Sequence, residues 1–456
     1  MNLWRAAQGV MGVLDLQEKN SFMGTLALYS LFLKAGSIAT DSRNIKPGAI
    51  FFALKGDNHD GNKFALDAIK SGASIAVVDD KSLEFNHKFI FVDDVLKTLQ
   101  ELAKLHRKKL GIKVVGLTGT NGKTTTKELI SAVLSTKFKI YATKGNFNNH
   151  IGVPLSILEI DNSIEIAVME MGASAKGEIE TLVNIVAPDC GLITNVGRAH
   201  LLGFGSFEGV KEAKGELYDF LKLNKSSIFV NTDNQILLEM LRERGIKEYI
   251  SYGINNEEYK ILETNEENPF LRLVDREGLL VESNLIGGYN SDNIAAAIAV
   301  GRYFGIDIKD AIEGIKSYIP TNNRSQLVKS KRNVLIVDAY NANPSSMKVA
   351  IENFGSFSAQ KRILILGDML ELGLESQNEH KGVLSLIDTQ TMESLYFVGK
   401  EFKEAAKEFP NILEISQFYS NSTELRDSLE KENLSGFTIL IKGSRGTRLE
   451  KSLDVL

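Results

Sequence analysis

Val114-Val115-Gly116-Leu117 runs straight into Thr118-Gly119-Thr120-Asn121-Gly122-Lys123-Thr124-Thr125, and this stretch decides the fold. A short apolar strand ends in a glycine-bearing turn, and an amphipathic helix follows from Thr124 to about Ser135. Glycines let successive backbone N–H groups curl around a phosphate, and the helix N-terminus adds its positive dipole. In such a loop Lys123 sits against the β- and γ-phosphates and the Thr124 hydroxyl ligates Mg²⁺, with Gly119, Thr120, Asn121, Gly122 and Thr125 completing the cradle. The common spacing has glycine five residues before Gly122, where this chain has Leu117. Gly116 lies one place earlier, so the loop is a variant.

Outward from the loop, further strand-like runs at 164–169, 191–194 and 227–230 alternate with helical patterns, and a helix over 293–304 closes the region. Such alternation implies parallel βαβ units. Before it, 49–54 and 74–78 read as buried strands and 64–69 as a helix face, with Arg107-Lys108-Lys109 a solvated basic connector. After a polar break at 320–324, strands at 333–337, 362–366, 394–398 and 438–441 spaced by helices predict a second open α/β sheet. No internal repeat is evident.

The 456 residues suggest about three domains. With 43% apolar and 24% charged residues, the chain is that of an ordinary globular protein rather than a disordered one. Its 53 basic and 58 acidic side chains, net charge −5, argue against nucleic-acid binding. Cys190, the single cysteine, excludes an internal disulfide and a cysteine-rich zinc site. No stretch has the ~18 uninterrupted apolar residues of a membrane helix. Residues 1–13 carry one basic residue, Arg5, ahead of Asp15, Glu18 and Lys19, without a clear cleavage site. The expectation is a non-native or disordered leader over 1–22, a fold beginning near Met23 and a cytoplasmic location.

Two further residues stand at strand ends. Glu170 follows the strand at 164–169 and is well placed to hold a metal beside the phosphate loop; a surface acid is the competing reading. His200, in Asn195-Val196-Gly197-Arg198-Ala199-His200, is equally open between ligand and surface residue.

With these residues in place, the chain resembles the Mur ligases, ATP-dependent amide ligases of peptidoglycan synthesis. The resemblance runs from about Thr40 to Arg445. It is carried by Thr118–Thr125, by Gly145-Asn146-Phe147-Asn148-Asn149-His150-Ile151-Gly152-Val153-Pro154, by Asn195–His200 and by Ala213-Lys214-Gly215-Glu216. Asp338-Ala339-Tyr340-Asn341-Ala342-Asn343-Pro344 and Leu366-Gly367-Asp368-Met369-Leu370-Glu371-Leu372-Gly373, with the Gly-Asn-Phe-Asn-Asn segment, are most similar to the members that join D-alanyl-D-alanine to UDP-N-acetylmuramoyl-tripeptide.

The resemblance implies an α/β chain of three domains: a small α/β domain binding the UDP-sugar (23–107), a central P-loop ATPase sheet (108–319) and a C-terminal Rossmann-like domain (320–456). It implies ATP and Mg²⁺ as cofactors and a monomer with no nucleic-acid or membrane partner. Thr124 and Glu170 would hold one Mg²⁺; His200 and a carbamylated Lys214 a second. Ser42, Arg43 and Asp60 would contact the uridine nucleotide, Arg43 by its guanidinium fork on the diphosphate. Asn146, Asn148 and Asn149 would face substrate, Asn290 and Asn293 adenine, and Arg324 the nucleotide phosphates. Asp338 would meet the ribose or orient neighbouring residues, a structural turn being its rival role. Asn341 and Asn343 would line the dipeptide and ATP pocket, and Ser444 and Arg445 would meet the dipeptide carboxylate. Gly287-Gly288-Tyr289-Asn290 departs from the family's Gly-x-His-Asn, placing a neutral phenol where an imidazole is usual. The alternatives are a Mur-type or folylpolyglutamate-type ligase using another amine, and a nucleotide-dependent switch that hydrolyses ATP without ligation.

Overall fold

The computed structural model describes residues 16–456, apart from 256–258, 266–267, 322, 358 and 360. Its centre is a six-stranded parallel sheet in the order Ile250–Tyr252, Ser227–Asn231, Cys190–Ile193, Lys113–Thr118, Ile166–Glu170, Ile140–Ala142. Strand residues alternate between two cores. Val114, Ala167, Met169, Ile193 and Val230 face one helix layer. Val115, Leu117, Val168, Leu192 and Phe229 face the layer of helices Lys123–Leu134, Ser291–Tyr303 and Ile308–Ser317. Burial on both faces is why these strands read as unbroken apolar runs.

Sequence order reverses across the strand Lys113–Thr118, since later strands are added first on one side and then on the other. The crevice beyond the carboxyl ends of parallel strands at such a reversal is where α/β proteins bind ligands. Two details differ from expectation. The helix expected to close the region is followed by Ile308–Ser317, opened by Asp307 capping the N–H of Lys309 at 2.9 Å. A small antiparallel sheet (Lys260–Ile261, Arg272–Val274, Leu280–Glu282) is inserted before them. Its strands, of two or three residues, are too short for a periodicity signal.

The N-terminal sheet is parallel, in the order Ile38–Ala39, Ile50–Phe52, Ile75–Val78, Phe89–Phe91. Helix Leu16–Ala35 crosses Met23, where the folded part was expected to begin; residues 1–15 lie outside the described residues. The basic segment Arg107-Lys108-Lys109 is not a solvated linker: it is the last turn of helix Val95–Leu110. Arg107 is buried and donates to the carbonyls of Val186 (2.8 Å) and Ala187 (2.9 Å) and to Asp189 (3.0 Å). A guanidinium carries five donors, enough to be satisfied inside a protein by helix-end carbonyls.

The C-terminal sheet runs Gln326–Lys329, Val334–Asp338, Thr438–Lys442, Arg362–Gly367, Ser394–Val398, Ser416–Tyr419, parallel except for the first strand. The polar edge strands at 326–329 and 416–419 escaped the sequence reading for lack of apolar alternation. His380 is fully buried here; its Nε2 accepts from the N–H of Met369 (3.0 Å), and Nδ1 lies 2.7 Å from the Ser376 carbonyl. Burial pushes its pKa down. The unfolded chain therefore takes up a proton below about pH 6.5 that the folded one refuses, so His380 supports stability above that pH and loses its contribution as pH falls through it. The thermal midpoint should fall between pH 7.5 and 5.5, and His380→Gln should reduce that pH dependence.

Candidate active site

One cavity of about 650 Å³ opens at the carboxyl ends of the central sheet. The phosphate loop forms its floor, and residues of the C-terminal domain form its roof. Gly119, at φ 148°, approaches so close to Thr194 that a Cβ would stand 2.0 Å from its hydroxyl. Gly122, at φ 77°, begins helix Lys123–Leu134 with no room for a Cβ beside Asn293. Asn195 clamps the loop from the neighbouring strand end, accepting from the N–H of Asn121 (3.0 Å) and donating to its carbonyl (3.0 Å). Lys123 Nζ folds back onto the carbonyls of Gly119 (2.8 Å) and Thr120 (3.0 Å). Burial and the nearby Arg324 lower its pKa against the opposing pull of Glu170.

Thr124 donates to Glu170 Oε2 at 2.9 Å, and Asn148 donates to Oε1 at 2.7 Å. A hydroxyl and a carboxylate, both hard oxygens held in register beside a phosphate cradle, suit Mg²⁺, which takes few protein ligands when phosphates supply the rest. Among the described residues no three His, Cys, Asp or Glu side chains form a ready cation cage, which fits an ion that takes the rest of its shell from phosphate oxygens and water.

The other expected residues divide. Asn146, Asn148, Asn149, His200, Asn290, Asn293, Arg324, Asp338, Asn341 and Asn343 line the cavity with the loop. Several have structural work as well. Asn149 accepts from the N–H of Gly152 at 2.8 Å. Asn290 and Asn293, expected at adenine, are buried; Asn293 donates to Asn290 (2.8 Å) and accepts from Thr126 (2.9 Å). Asn343 caps helix Pro344–Ser356 and donates across the domain boundary to Asn121 Oδ1 at 2.8 Å. Asp338 pairs with buried Lys442 at 2.5 Å, its partner in strand register. Tyr289 lines the cavity and bonds Ser325 at 2.8 Å; burial raises its phenol pKa, so it is a neutral bridge.

Other residues stand apart. Lys214 is 2% exposed and does not line the cavity; its ammonium lies 5.4 Å from the Phe204 ring centre. The His200 ring lies 6.4 Å from that phenyl, so Phe204 adjoins both expected metal-binding groups. Burial, with the Lys123 cation, brings the Lys214 pKa down to about 7. Ser444 is buried, its hydroxyl bonded by the N–H of Leu370 (3.1 Å), and is not exposed to a ligand. Arg445 lies outside the cavity lining, but with Arg324 it brackets Tyr340, at 5.6 and 3.7 Å from the ring. Ser42, Arg43 and Asp60 lie away from the cavity. Arg43 pairs with Asp41 at 2.8 Å, holding that carboxyl down to about 2, and Asp60 caps the turn at Asn62 (3.0 Å).

Family models match residues 35–107 (Mur ligase family, catalytic domain), 117–301 (Mur ligase middle domain) and 323–445 (Mur ligase, glutamate ligase domain). The chain belongs to the Mur ligase family. The UDP-N-acetylmuramoyl-tripeptide–D-alanyl-D-alanine ligase of Bacillus subtilis (strain 168) is 39% identical over 422 residues, 91% of each chain. That of Escherichia coli (strain K12) is 31% identical over 92% of this chain and 93% of its own. Among solved structures of the family, MurF from Acinetobacter baumannii superposes with a TM-score of 0.81 at 29% identity over 92% of each chain. MurF ligase from Thermotoga maritima in complex with ADP gives 0.78 at 27% identity, covering 93% of this chain and 97% of that one.

Sequence reasoning missed Lys442 as the partner of Asp338, Tyr340 between two arginines, and Glu371 beside His200. Only the first had a local signal, as two charged residues ending adjacent apolar strands.

Proposed function

We infer that this chain is an ATP-dependent ligase that joins D-alanyl-D-alanine to UDP-N-acetylmuramoyl-tripeptide in peptidoglycan precursor synthesis. The observation that carries the reading is the meeting of Lys123, the Thr124–Glu170 pair and the roof residues Arg324 and Asn343 around one cavity. A carboxylate does not condense with an amine in water near neutral pH. Here a carboxylate oxygen of the tripeptide attacks the γ-phosphorus of ATP; the new O–P bond forms as the bond to the β-phosphate oxygen breaks, and ADP leaves. The amine nitrogen of D-alanyl-D-alanine then attacks the acyl carbon, the C–O bond to phosphate breaks, and inorganic phosphate departs as the nitrogen sheds its proton. The first step is dominated by positioning and charge neutralisation. Lys123 and the loop amides hold the β- and γ-phosphates, and Arg324 adds charge from the roof. Thr124 and Glu170 would hold Mg²⁺, which would supply neutralisation of the phosphate charge, and Asn148 keeps the Glu170 carboxylate oriented for that task.

We propose that His200 and a carbamate on Lys214 serve the acyl end, and that Arg43 meets the UDP diphosphate. No helix among the described residues is long and apolar enough to cross a membrane. ATP and UDP-linked precursors place the reaction in the cytoplasm.

Incubation with ATP, tripeptide precursor labelled with ¹⁸O in its carboxylate, and a panel of amines tests the reading. D-alanyl-D-alanine should give a new amide, with one ¹⁸O per inorganic phosphate. Phosphate release with glutamate and none with D-alanyl-D-alanine would overturn it. Glu170→Gln, which removes the charge of a metal ligand, should raise the Mg²⁺ concentration for half-maximal activity at least about tenfold, the lower end of what loss of even an outer carboxylate costs a metal site; a magnesium titration at fixed ATP measures this.

A further inference from the structure

His200 begins the short helix Leu201–Phe204 in the left-handed region, at φ 50°, although it is not glycine. Glu371, in the C-terminal domain, is likewise left-handed at φ 63°. Such backbone is unfavourable at a non-glycine residue and persists where surrounding structure holds it. These two residues meet: Glu371 Oε2 bonds His200 Nδ1, and the Glu371 carbonyl accepts from the N–H of Leu202 at 3.4 Å. A carboxylate only accepts, so Nδ1 carries a proton in this pair, which leaves Nε2 as the nitrogen able to offer a lone pair to a metal. Among the described residues Nε2 has no hydrogen-bond partner, and His200 lines the cavity.

The loop presenting Glu371 is fixed at each preceding residue. Asp368 accepts from the N–H groups of Glu401 (2.9 Å) and Phe402 (3.0 Å), Met369 donates to His380, and Leu370 donates to Ser444. Nearby, Arg198 pairs with Glu379 at 2.9 Å, and its N–H donates to Ser345 at 3.1 Å. Histidines that ligate metals hand their second nitrogen to such an acceptor, which fixes tautomer and ring orientation.

We infer that Glu371 is a positioning residue for the ligation reaction: reaching across from the C-terminal domain, it holds the His200 imidazole in its Nε2-ligating tautomer, so that this end of the cavity is complete only when the two domains are together. The inference rests on the proposed role of His200 at the acyl end. It also gives a task to the Asp368–Gly373 motif, which the reaction itself leaves without one.

The test uses the full chain labelled with ¹⁵N-histidine, with His200→Asn to assign the ring signals. In the wild type His200 should show a single tautomer, protonated at Nδ1. In Glu371→Ala it should become a mixture. With ADP and precursor bound, Mn²⁺ affinity at one of two sites should fall 10–100-fold, and kcat should fall by a similar factor. The KM for ATP should stay within about threefold. Glu371→Gln, which keeps an accepting oxygen, should restore most of the rate. An unchanged His200 tautomer and unchanged Mn²⁺ affinity in Glu371→Ala, even with a slower enzyme, would overturn the inference and leave a contact that only joins domains. Absence of any amide product from the wild type would sink the ligase reading instead, while the tautomer and Mn²⁺ measurements would still decide Glu371.

Discussion

Lys123→Ala should abolish ligation to within about one part in 10³ of the wild-type rate while leaving the fold intact. The side chain is the cation closest to the phosphate cradle, and its ammonium now satisfies two loop carbonyls at 2.8 and 3.0 Å. Replacing those contacts with phosphate oxygens exchanges neutral acceptors for charged ones, which makes stronger hydrogen bonds. Removing a single preorganised donor at developing charge costs 10²–10³ in rate, or about 3–4 kcal/mol. Because the lysine opens a helix that packs through Leu129, Ile130, Val133 and Leu134, thermal stability should change little. Single-turnover measurement of ADP formation checks the rate, and a near-normal rate would show that the cradle holds something other than a triphosphate.

Lys214→Ala should slow ligation on the order of 10²-fold, with partial rescue by formate or acetate. A lysine that is 2% exposed is costly to keep charged, and burial together with Lys123 brings its pKa to about 7. Near neutral pH a substantial share of it is therefore free amine. That form attacks CO₂; a C–N bond forms, a proton leaves and a cation becomes an anion. The sign follows: carbamate content and activity should rise with pH from 6 to 8 and fall when CO₂ is stripped from the buffer. Full activity of the alanine variant in CO₂-free buffer would remove the carbamate from the mechanism.

The phosphate loop was legible because its chemistry is local: strand, glycines, lysine and helix are contiguous, and the spacing alone constrains the backbone. The parallel sheets were legible because double-sided burial leaves long apolar runs. What escaped depends on distant partners. Arg107 looked like a linker residue because its carbonyl acceptors at Val186 and Ala187 lie some eighty residues on. Ser444, expected at substrate, is buried against the backbone of Leu370, a contact no spacing rule encodes. The Glu371–His200 pair spans 171 positions and two domains.

The same buried Arg107 bears on how the molecule divides. Helix Val95–Leu110 places Leu99 and Leu102 in one continuous apolar cluster with Ile50 and Phe52 of the first sheet and Val114 and Ile193 of the second. The C-terminal sheet instead has two clusters drawn almost wholly from its own residues. By shared interior, the first two of these sheets form one packing unit and the C-terminal sheet another. Severed near residue 320, the trailing fragment keeps its interior and stands alone; severed near residue 110, the leading fragment loses half of an oily seam and is left to clump.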